Sequence, residues 1–184
     1  MPSTLLIAPE TSFLLHIDLQ ERLLPAIEDG QKVVVSALWL DRIARRLNIP
    51  VGATVQYPNG LGPFAPELAA QLQAAEMVEK IHFSAVREGC LPRLAGFERP
   101  QIVVTGSEAH VCVLQTVLDL HAAGKQVFVV VEAVGSRRAS DKQLALDRMR
   151  SAGVSIVSQE MVAFEWLQRA GTDTFREINR EFIR

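Results

Sequence analysis

Short apolar runs alternate along the chain with longer segments in which apolar residues recur at the spacing of a helix. Continuous apolar runs predict strands that are buried on both faces, as in parallel sheets. Helical spacing between these runs predicts the connecting helices. The predicted strands are 12–18, 51–55, 78–81, 102–104, 126–131 and 154–157, and the predicted helices are 31–47, 67–75, 88–95, one from about 109, 141–152, 161–168 and 174–182.

This alternation predicts a three-layer α/β/α fold with a doubly wound, mostly parallel sheet of about six strands. The 184 residues fit a single domain, and no internal repeat or linker divides them, so we expect one domain over residues 1–184. Ligands of such sheets bind outside the carboxyl ends of the strands, where the strand order reverses. Candidate functional residues should therefore follow the predicted strands.

The charges of the chain nearly cancel, giving a formal net charge of −2. This balance gives no electrostatic reason to expect a nucleic-acid partner or a membrane surface. No apolar run approaches the length that spans a bilayer, and the N-terminal residues lack the basic and apolar regions of a signal peptide. We therefore expect a cytoplasmic protein in which Cys90 and Cys112 stay reduced.

Cys112 lies where a buried strand meets a helix. Thr105 and Gly106 end the apolar run, and the helical pattern begins near Ala109. Free backbone N–H groups and the positive end of the helix dipole both favour a thiolate, which is the nucleophilic form of cysteine. Position alone leaves a second interpretation open, in which Cys112 is a small buried apolar residue.

Two residues at other strand ends are candidate partners of this thiol. Asp18 ends the first strand, where it is either an N-cap of the following segment or a carboxylate that accepts the thiol proton. Lys80 has apolar neighbours in sequence, which suits either a lysine whose charged end reaches solvent or an ammonium that stabilises negative charge. The strand-end rule predicts that Asp18, Lys80 and Cys112 converge, with Gln56 at the end of the second strand beside them.

Four segments together resemble the cysteine hydrolases of the isochorismatase-like superfamily, in particular the isochorismatase-domain-containing branch. They are Asp18-Leu-Gln20, 56–62, 80–85 and 106–116, and the resemblance extends over nearly the whole chain. It implies that Asp18 is the general base, Lys80 the charge stabiliser and Cys112 the nucleophile. It also implies an oxyanion hole formed by the backbone N–H groups of Val111 and Cys112, and a cis peptide bond between Ser107 and Glu108.

The loop after the second strand differs from that of the nicotinamidases in this superfamily. Nicotinamidases carry metal-binding histidines and an aspartate there, whereas residues 55–60 read Val-Gln-Tyr-Pro-Asn-Gly. We therefore expect no metal and no cofactor. His110 is either a surface or helix-capping residue or a residue that shapes substrate choice, and Cys90 is interpreted as structural. The residues expected to contact substrate are Gln20, Gln56, Tyr57, Phe83 and Glu108.

The sequence thus predicts a metal-independent cysteine hydrolase that cleaves the C–N bond of a small amide, or a related acyl compound, through a thioester. A thiol nucleophile favours this chemistry over vinyl-ether cleavage, which isochorismatases perform without a cysteine. The alternative is a catalytically silent scaffold or interaction protein with the same fold. Apolar C-terminal segments that contain Trp166, Phe175 and Phe182 favour a homo-oligomer.

Overall fold

A computed structural model describes residues 5–183, which form a six-stranded parallel sheet covered by helices on both faces. The strand order is β3-β2-β1-β4-β5-β6, and every neighbouring pair is parallel. This arrangement confirms the predicted three-layer, doubly wound fold. The strands are β1 (Ser12–Ile17), β2 (Val51–Gln56), β3 (Met77–Lys80), β4 (Gln101–Ser107), β5 (Gln126–Gly135) and β6 (Ser155–Val157).

Eight α-helices occur in the described residues. The longest, α1, covers Gly30–Arg46 and runs along one face of the sheet. A single wide turn, Ala109–Val113, leads directly into α5. The other helices are α2 (Pro58–Leu61), α3 (Pro66–Ala69), α4 (Ala85–Glu88), α5 (Leu114–Ala122), α6 (Ala139–Ser151), α7 (Gln159–Leu167) and α8 (Asp173–Ile178).

Two helix predictions fail, both between β2 and β4. The helix expected over 67–75 ends at Ala69, and the helix expected over 88–95 is replaced by α4 and a three-residue 3₁₀ turn. Gly89 has φ +71°, a left-handed conformation that stops α4. The helix expected over 141–152 begins two residues earlier, at Ala139.

Successive strand residues point to opposite faces of the sheet and enter two separate cores. On β1, Leu14 belongs to the core beneath α1 and α7, whereas Phe13 and Leu15 belong to the core beneath α5 and α6. On β4, Val103 and Val104 divide in the same way. Both faces of the sheet are therefore buried, as the continuous apolar runs predicted.

Candidate active site

The strand order reverses between β1 and β4, which pair along their whole length from Ser12↔Gln101 to Ile17↔Gly106. The chain leaves β1 towards β2 on one side and leaves β4 towards β5 on the other. Asp18 directly follows β1, and Cys112 lies in the wide turn that follows β4. The two residues therefore flank the switch point, where ligands of such sheets bind.

Asp18 and Lys80 form a fully buried ion pair, with 2.7 Å between Oδ2 and Nζ and no exposed side-chain surface on either residue. The hydroxyl of Thr54 donates to the other carboxylate oxygen of Asp18, also at 2.7 Å. Asp18 has a left-handed φ of 52°, and its carbonyl accepts a hydrogen bond from Ser107 Oγ. Residues of β2 and β3 thus hold the Asp18 carboxylate, and a residue of β4 holds the Asp18 backbone.

The Lys80 ammonium has three further acceptors besides Asp18. The side-chain oxygen of Gln56 accepts one hydrogen bond, and the backbone carbonyls of His82 and Phe83 lie 3.2 and 3.0 Å from Nζ. Four acceptors for three N–H groups leave no donor of Lys80 without a protein partner. The surroundings therefore stabilise a charged lysine at this position.

Cys112 is 5% exposed. Burial, together with the negative charge of Asp18, raises the pKa of the Cys112 thiol to about 12, although the Lys80 ammonium acts in the opposite direction. The sequence predicts that the helix terminus lowers the thiol pKa, but in the structure desolvation of the sulfur raises this pKa by more. The thiol is therefore protonated at neutral pH, and any reaction of the sulfur as a nucleophile requires the loss of that proton.

Asp18 is suited to receive that proton. Burial raises its pKa above the ordinary carboxyl value, while Lys80 and Thr54 both lower it without cancelling the effect of burial. A carboxylate with a raised pKa is a stronger base than one in water.

The backbone around the thiol differs in one respect from the arrangement that the resemblance implied. The peptide bond between Ser107 and Glu108 is cis, and the Glu108 carbonyl accepts hydrogen bonds from Val111 N–H at 3.1 Å and Val113 N–H at 3.2 Å. Val111 N–H is thus already engaged and is not a free oxyanion donor in this conformation.

Two of the expected substrate-contacting residues are occupied by contacts within the site. Gln20 has no exposed surface; its amide donates to the carbonyls of Gln56 and Gly62 and accepts from Gln56 N–H. Gln56 is 6% exposed, and its side chain is shared between Lys80 and the Ile81 carbonyl. The side chains of both residues are thus engaged within the protein, and that of Gln56 helps to hold the Lys80 ammonium.

The other expected contacts lie at the edge of the site. Tyr57 and Phe83 are each 53% exposed on loops that adjoin Lys80. Glu108 is nearly buried and pairs with Arg137, whose Nε lies 2.9 Å from the carboxylate. His110 bonds to Ser136 Oγ at 2.9 Å, so it is tied to the end of β5.

Thr54 and Arg137 contact site residues but were not predicted, and Ser107 was expected only as part of the cis peptide bond, not as a donor to the Asp18 carbonyl. A recognisable signal existed for Thr54, since it is a polar residue within an otherwise apolar strand. Cys90, read as structural, is buried, and its thiol lies 3.6 Å from the Ala85 carbonyl.

A cavity of about 660 Å³ opens beside the start of α1. Glu28, Lys32, Glu132 and Lys142 are among its lining residues, and Asp18, Lys80 and Cys112 are not. Among residues 5–183, no three His, Cys, Asp or Glu side chains are grouped so that they could hold a metal ion. Over the same residues, no helix is long and apolar enough to cross a membrane.

Comparison with known proteins agrees with this fold. The family model of the isochorismatase domain matches residues 12–161. Isochorismatase domain-containing protein 2A of Mus musculus is 38% identical over 175 residues, covering 95% of this chain and 84% of the mouse protein. MAR1 ribonuclease from Caenorhabditis elegans has 32% identity and a TM-score of 0.84, covering 95% of this chain and 90% of its own.

A more distant structural neighbour shares the fold alone. The octameric YcaC hydrolase of unknown specificity from Escherichia coli has a TM-score of 0.89 at 24% identity, with 100% of this chain and 93% of its own covered. The family model extends over most of the chain, from β1 into α7, and so includes all three residues of the site. The fold, the strand-end site and the match of the family model together show that this chain belongs to the isochorismatase family.

Proposed function

We propose that this chain is a metal-independent cysteine hydrolase that cleaves a small amide, or a related acyl compound, through a thioester on Cys112. The observation that carries the proposal is the buried pair of Asp18 and Lys80, 2.7 Å apart, whose charges both act on the Cys112 thiol. A base and a fixed positive charge beside a thiol are what nucleophilic acyl transfer requires.

In the first step the Cys112 sulfur attacks the substrate carbonyl carbon while Asp18 takes the thiol proton. The new S–C bond forms as the carbonyl π electrons move onto oxygen. The Cys112 backbone N–H supports this oxyanion, and Val111 N–H joins it by sharing or releasing its bond to the Glu108 carbonyl.

In the second step the C–N bond breaks, and Asp18 passes its proton to the departing amine, leaving a thioester. Asp18 then accepts a proton from water as the water oxygen bonds to the thioester carbon; the S–C bond breaks, the carboxylic acid leaves, and Asp18 returns the proton to the sulfur. The Lys80 ammonium keeps its proton throughout, since its donors are engaged with Asp18 and three other acceptors. Metal ligands are not required by this route, which suits a β2–α2 loop without histidine.

The alternative of a silent scaffold is favoured by one observation, the burial of the reacting groups. Cys112 is 5% exposed, and Lys80 is 2% exposed. An enzyme must admit substrate to these buried groups, whereas a scaffold need not.

We also propose that the chain forms a homo-oligomer and resides in the cytoplasm. Phe164 is exposed, and the centroid of its ring lies 6.5 Å from that of Phe175. This apolar surface could contact a second copy of the chain. The octameric state of the Escherichia coli YcaC protein is consistent with self-association in this fold. Cys90 and Cys112 are free thiols, as a reducing compartment would keep them.

The test is hydrolysis of a panel of small amides by the wild-type chain, Cys112→Ala and the control Cys90→Ala. We expect the wild type and Cys90→Ala to release amine, Cys112→Ala to release none, and mass spectrometry of quenched wild type to find acyl adducts on Cys112. An RNA oligonucleotide belongs in the panel, because one relative carries the name ribonuclease. Undiminished turnover by Cys112→Ala would exclude the thioester route, and a wild type that hydrolyses nothing would favour the scaffold.

A further inference from the structure

The segment that follows β3, residues 81–88, supplies two of the four acceptors around the Lys80 ammonium. These are the backbone carbonyls of His82 and Phe83, at 3.2 and 3.0 Å from Nζ. Backbone carbonyls can hold an ammonium only while their peptide planes keep one orientation. The position of the Lys80 charge therefore depends on how this segment is fixed.

Glu88 fixes the beginning of the segment through a single oxygen atom. Its Oε2 accepts hydrogen bonds from Ile81 N–H at 3.0 Å and His82 N–H at 2.9 Å, and lies 2.7 Å from His82 Nδ1. These bonds hold the pKa of Glu88 at about 2, so the carboxylate stays ionised across the working pH range. The peptide planes held by Glu88 directly precede the carbonyls that face Lys80.

The end of the segment is attached to the helix of the nucleophile. Ala85 N–H donates to Thr116 Oγ1 at 3.1 Å, and Ser84 Oγ and Arg87 Nε both donate to Asp119 Oδ2, at 2.7 and 3.0 Å. Thr116 and Asp119 lie on α5, within two turns after Cys112. The same short segment thus connects the lysine side of the site to the thiol side.

We propose that Glu88 is a positioning residue for this site, which holds residues 81–83 so that the His82 and Phe83 carbonyls keep the Lys80 ammonium beside Asp18 and Cys112. The inference rests on the part of the proposed function in which Lys80 acts on the thiol. Glu88 itself touches none of the reacting groups. An exposed Glu–His pair alone contributes little, and the two backbone N–H bonds distinguish this carboxylate from an ordinary surface charge.

The experiment measures alkylation of Cys112 by iodoacetamide as a function of pH, with peptide mapping to separate Cys112 from Cys90. Glu88→Ala is compared with Glu88→Gln, with Lys80→Ala and with the control Glu79→Ala. Glu79 is an exposed carboxylate on β3, adjacent to Lys80 in sequence. Only the thiolate reacts, so a displaced ammonium raises the thiol pKa and slows alkylation at any given pH.

We expect Lys80→Ala and Glu88→Ala to slow alkylation, the latter by about three- to tenfold, which is up to one pKa unit. Glu88→Gln should retain most of the wild-type rate, because one neutral oxygen can accept the same two backbone N–H bonds. Glu79→Ala should match the wild type. A purely structural role would lower the melting temperature of Glu88→Ala and leave the alkylation profile of the folded protein unchanged.

The outcomes separate this inference from the proposed function. If Lys80→Ala slows alkylation and Glu88→Ala does not, the positioning role is wrong and the catalytic role of Lys80 stands. If Lys80→Ala has no effect, both are wrong. If alkylation behaves as expected but no amide is hydrolysed, the positioning role is supported and the amide chemistry fails.

Discussion

Replacing Lys80 by Met tests the energetics of the buried pair directly. The substitution keeps an unbranched side chain of similar length and removes the charge. It leaves the Asp18 carboxylate buried without a counter-ion and removes the donor from Gln56 Oε1 and from the carbonyls of His82 and Phe83.

The expected loss of stability is large because neither side chain of the pair has exposed surface. Breaking a buried ion pair by removing one partner costs about 3–5 kcal/mol, since the remaining charge is uncompensated. The matched control is Lys32→Met, which breaks an exposed pair with Asp29 in which the two side chains are 78% and 63% exposed. That change should cost less than about 1 kcal/mol.

The loss should also depend on pH, and its sign follows from Asp18. Burial raises the folded-state pKa of Asp18, and removing Lys80 raises it further. A raised folded-state pKa means that the folded state binds the proton more tightly than the unfolded state. The stability that Lys80→Met loses relative to the wild type should therefore be smallest below the ordinary carboxyl pKa and grow as the pH rises through the raised pKa of Asp18.

Urea denaturation of the wild type, Lys80→Met and Lys32→Met, at acidic and at neutral pH, measures both effects. A double variant, Asp18→Asn with Lys80→Met, should recover about 1–3 kcal/mol relative to the sum of the single changes, because no charge is left buried. The reasoning is refuted if Lys80→Met loses no more stability at neutral pH than Lys32→Met, or if its deficit grows as the pH falls.

Three other outcomes are expected. Because the pKa of Cys112 is raised to about 12, alkylation of the wild type should accelerate about tenfold per pH unit between about pH 7 and 10, and a plateau near pH 8 would contradict the raised pKa. Cys112→Ala should lose turnover while keeping a cooperative melting transition within a few degrees of the wild type, as calorimetry would record. Gly106→Ala should lower the free energy of unfolding measured in urea by about 1–3 kcal/mol, because an added Cβ would lie 2.5 Å from the Ile17 carbonyl oxygen. The control Gly124→Ala should lower it by about 1 kcal/mol, because an added Cβ there meets nothing within 4 Å and only the left-handed φ is unfavourable.

The sheet could be predicted from the sequence because its strands are buried on both faces. The run 12–18 corresponds to β1 at Ser12–Ile17, and the run 154–157 corresponds to β6 at Ser155–Val157. Such runs need no knowledge of their neighbours to be recognised. Short helices near proline and glycine, such as the one expected over 88–95, depend instead on tertiary contacts and were misplaced.

The site was predictable in position and less so in chemistry. Parallel strands bring their carboxyl ends to one edge, so Asp18, Lys80 and Cys112 could be placed together from strand boundaries alone. The protonation state of Cys112 could not, because the desolvation that raises its pKa comes from packing around it. The hydrogen bonds from the Gln20 amide to backbone carbonyls could not be predicted either, nor could those from the backbone of residues 81 and 82 to Glu88. Both sets of bonds involve loops, and local periodicity does not encode the path of a loop.

The four acceptors around Lys80 Nζ have a consequence for amine-directed chemistry. An amine reacts with acylating reagents through the lone pair of its neutral form, and this nitrogen would have to release its partners before it could present one. Reagents that acylate surface lysines, such as Lys32 with its 78% exposed side chain, should therefore pass over Lys80 in the folded protein. Lysine-reactivity profiling of the native chain would thus report the integrity of the site through a residue that stays unlabelled.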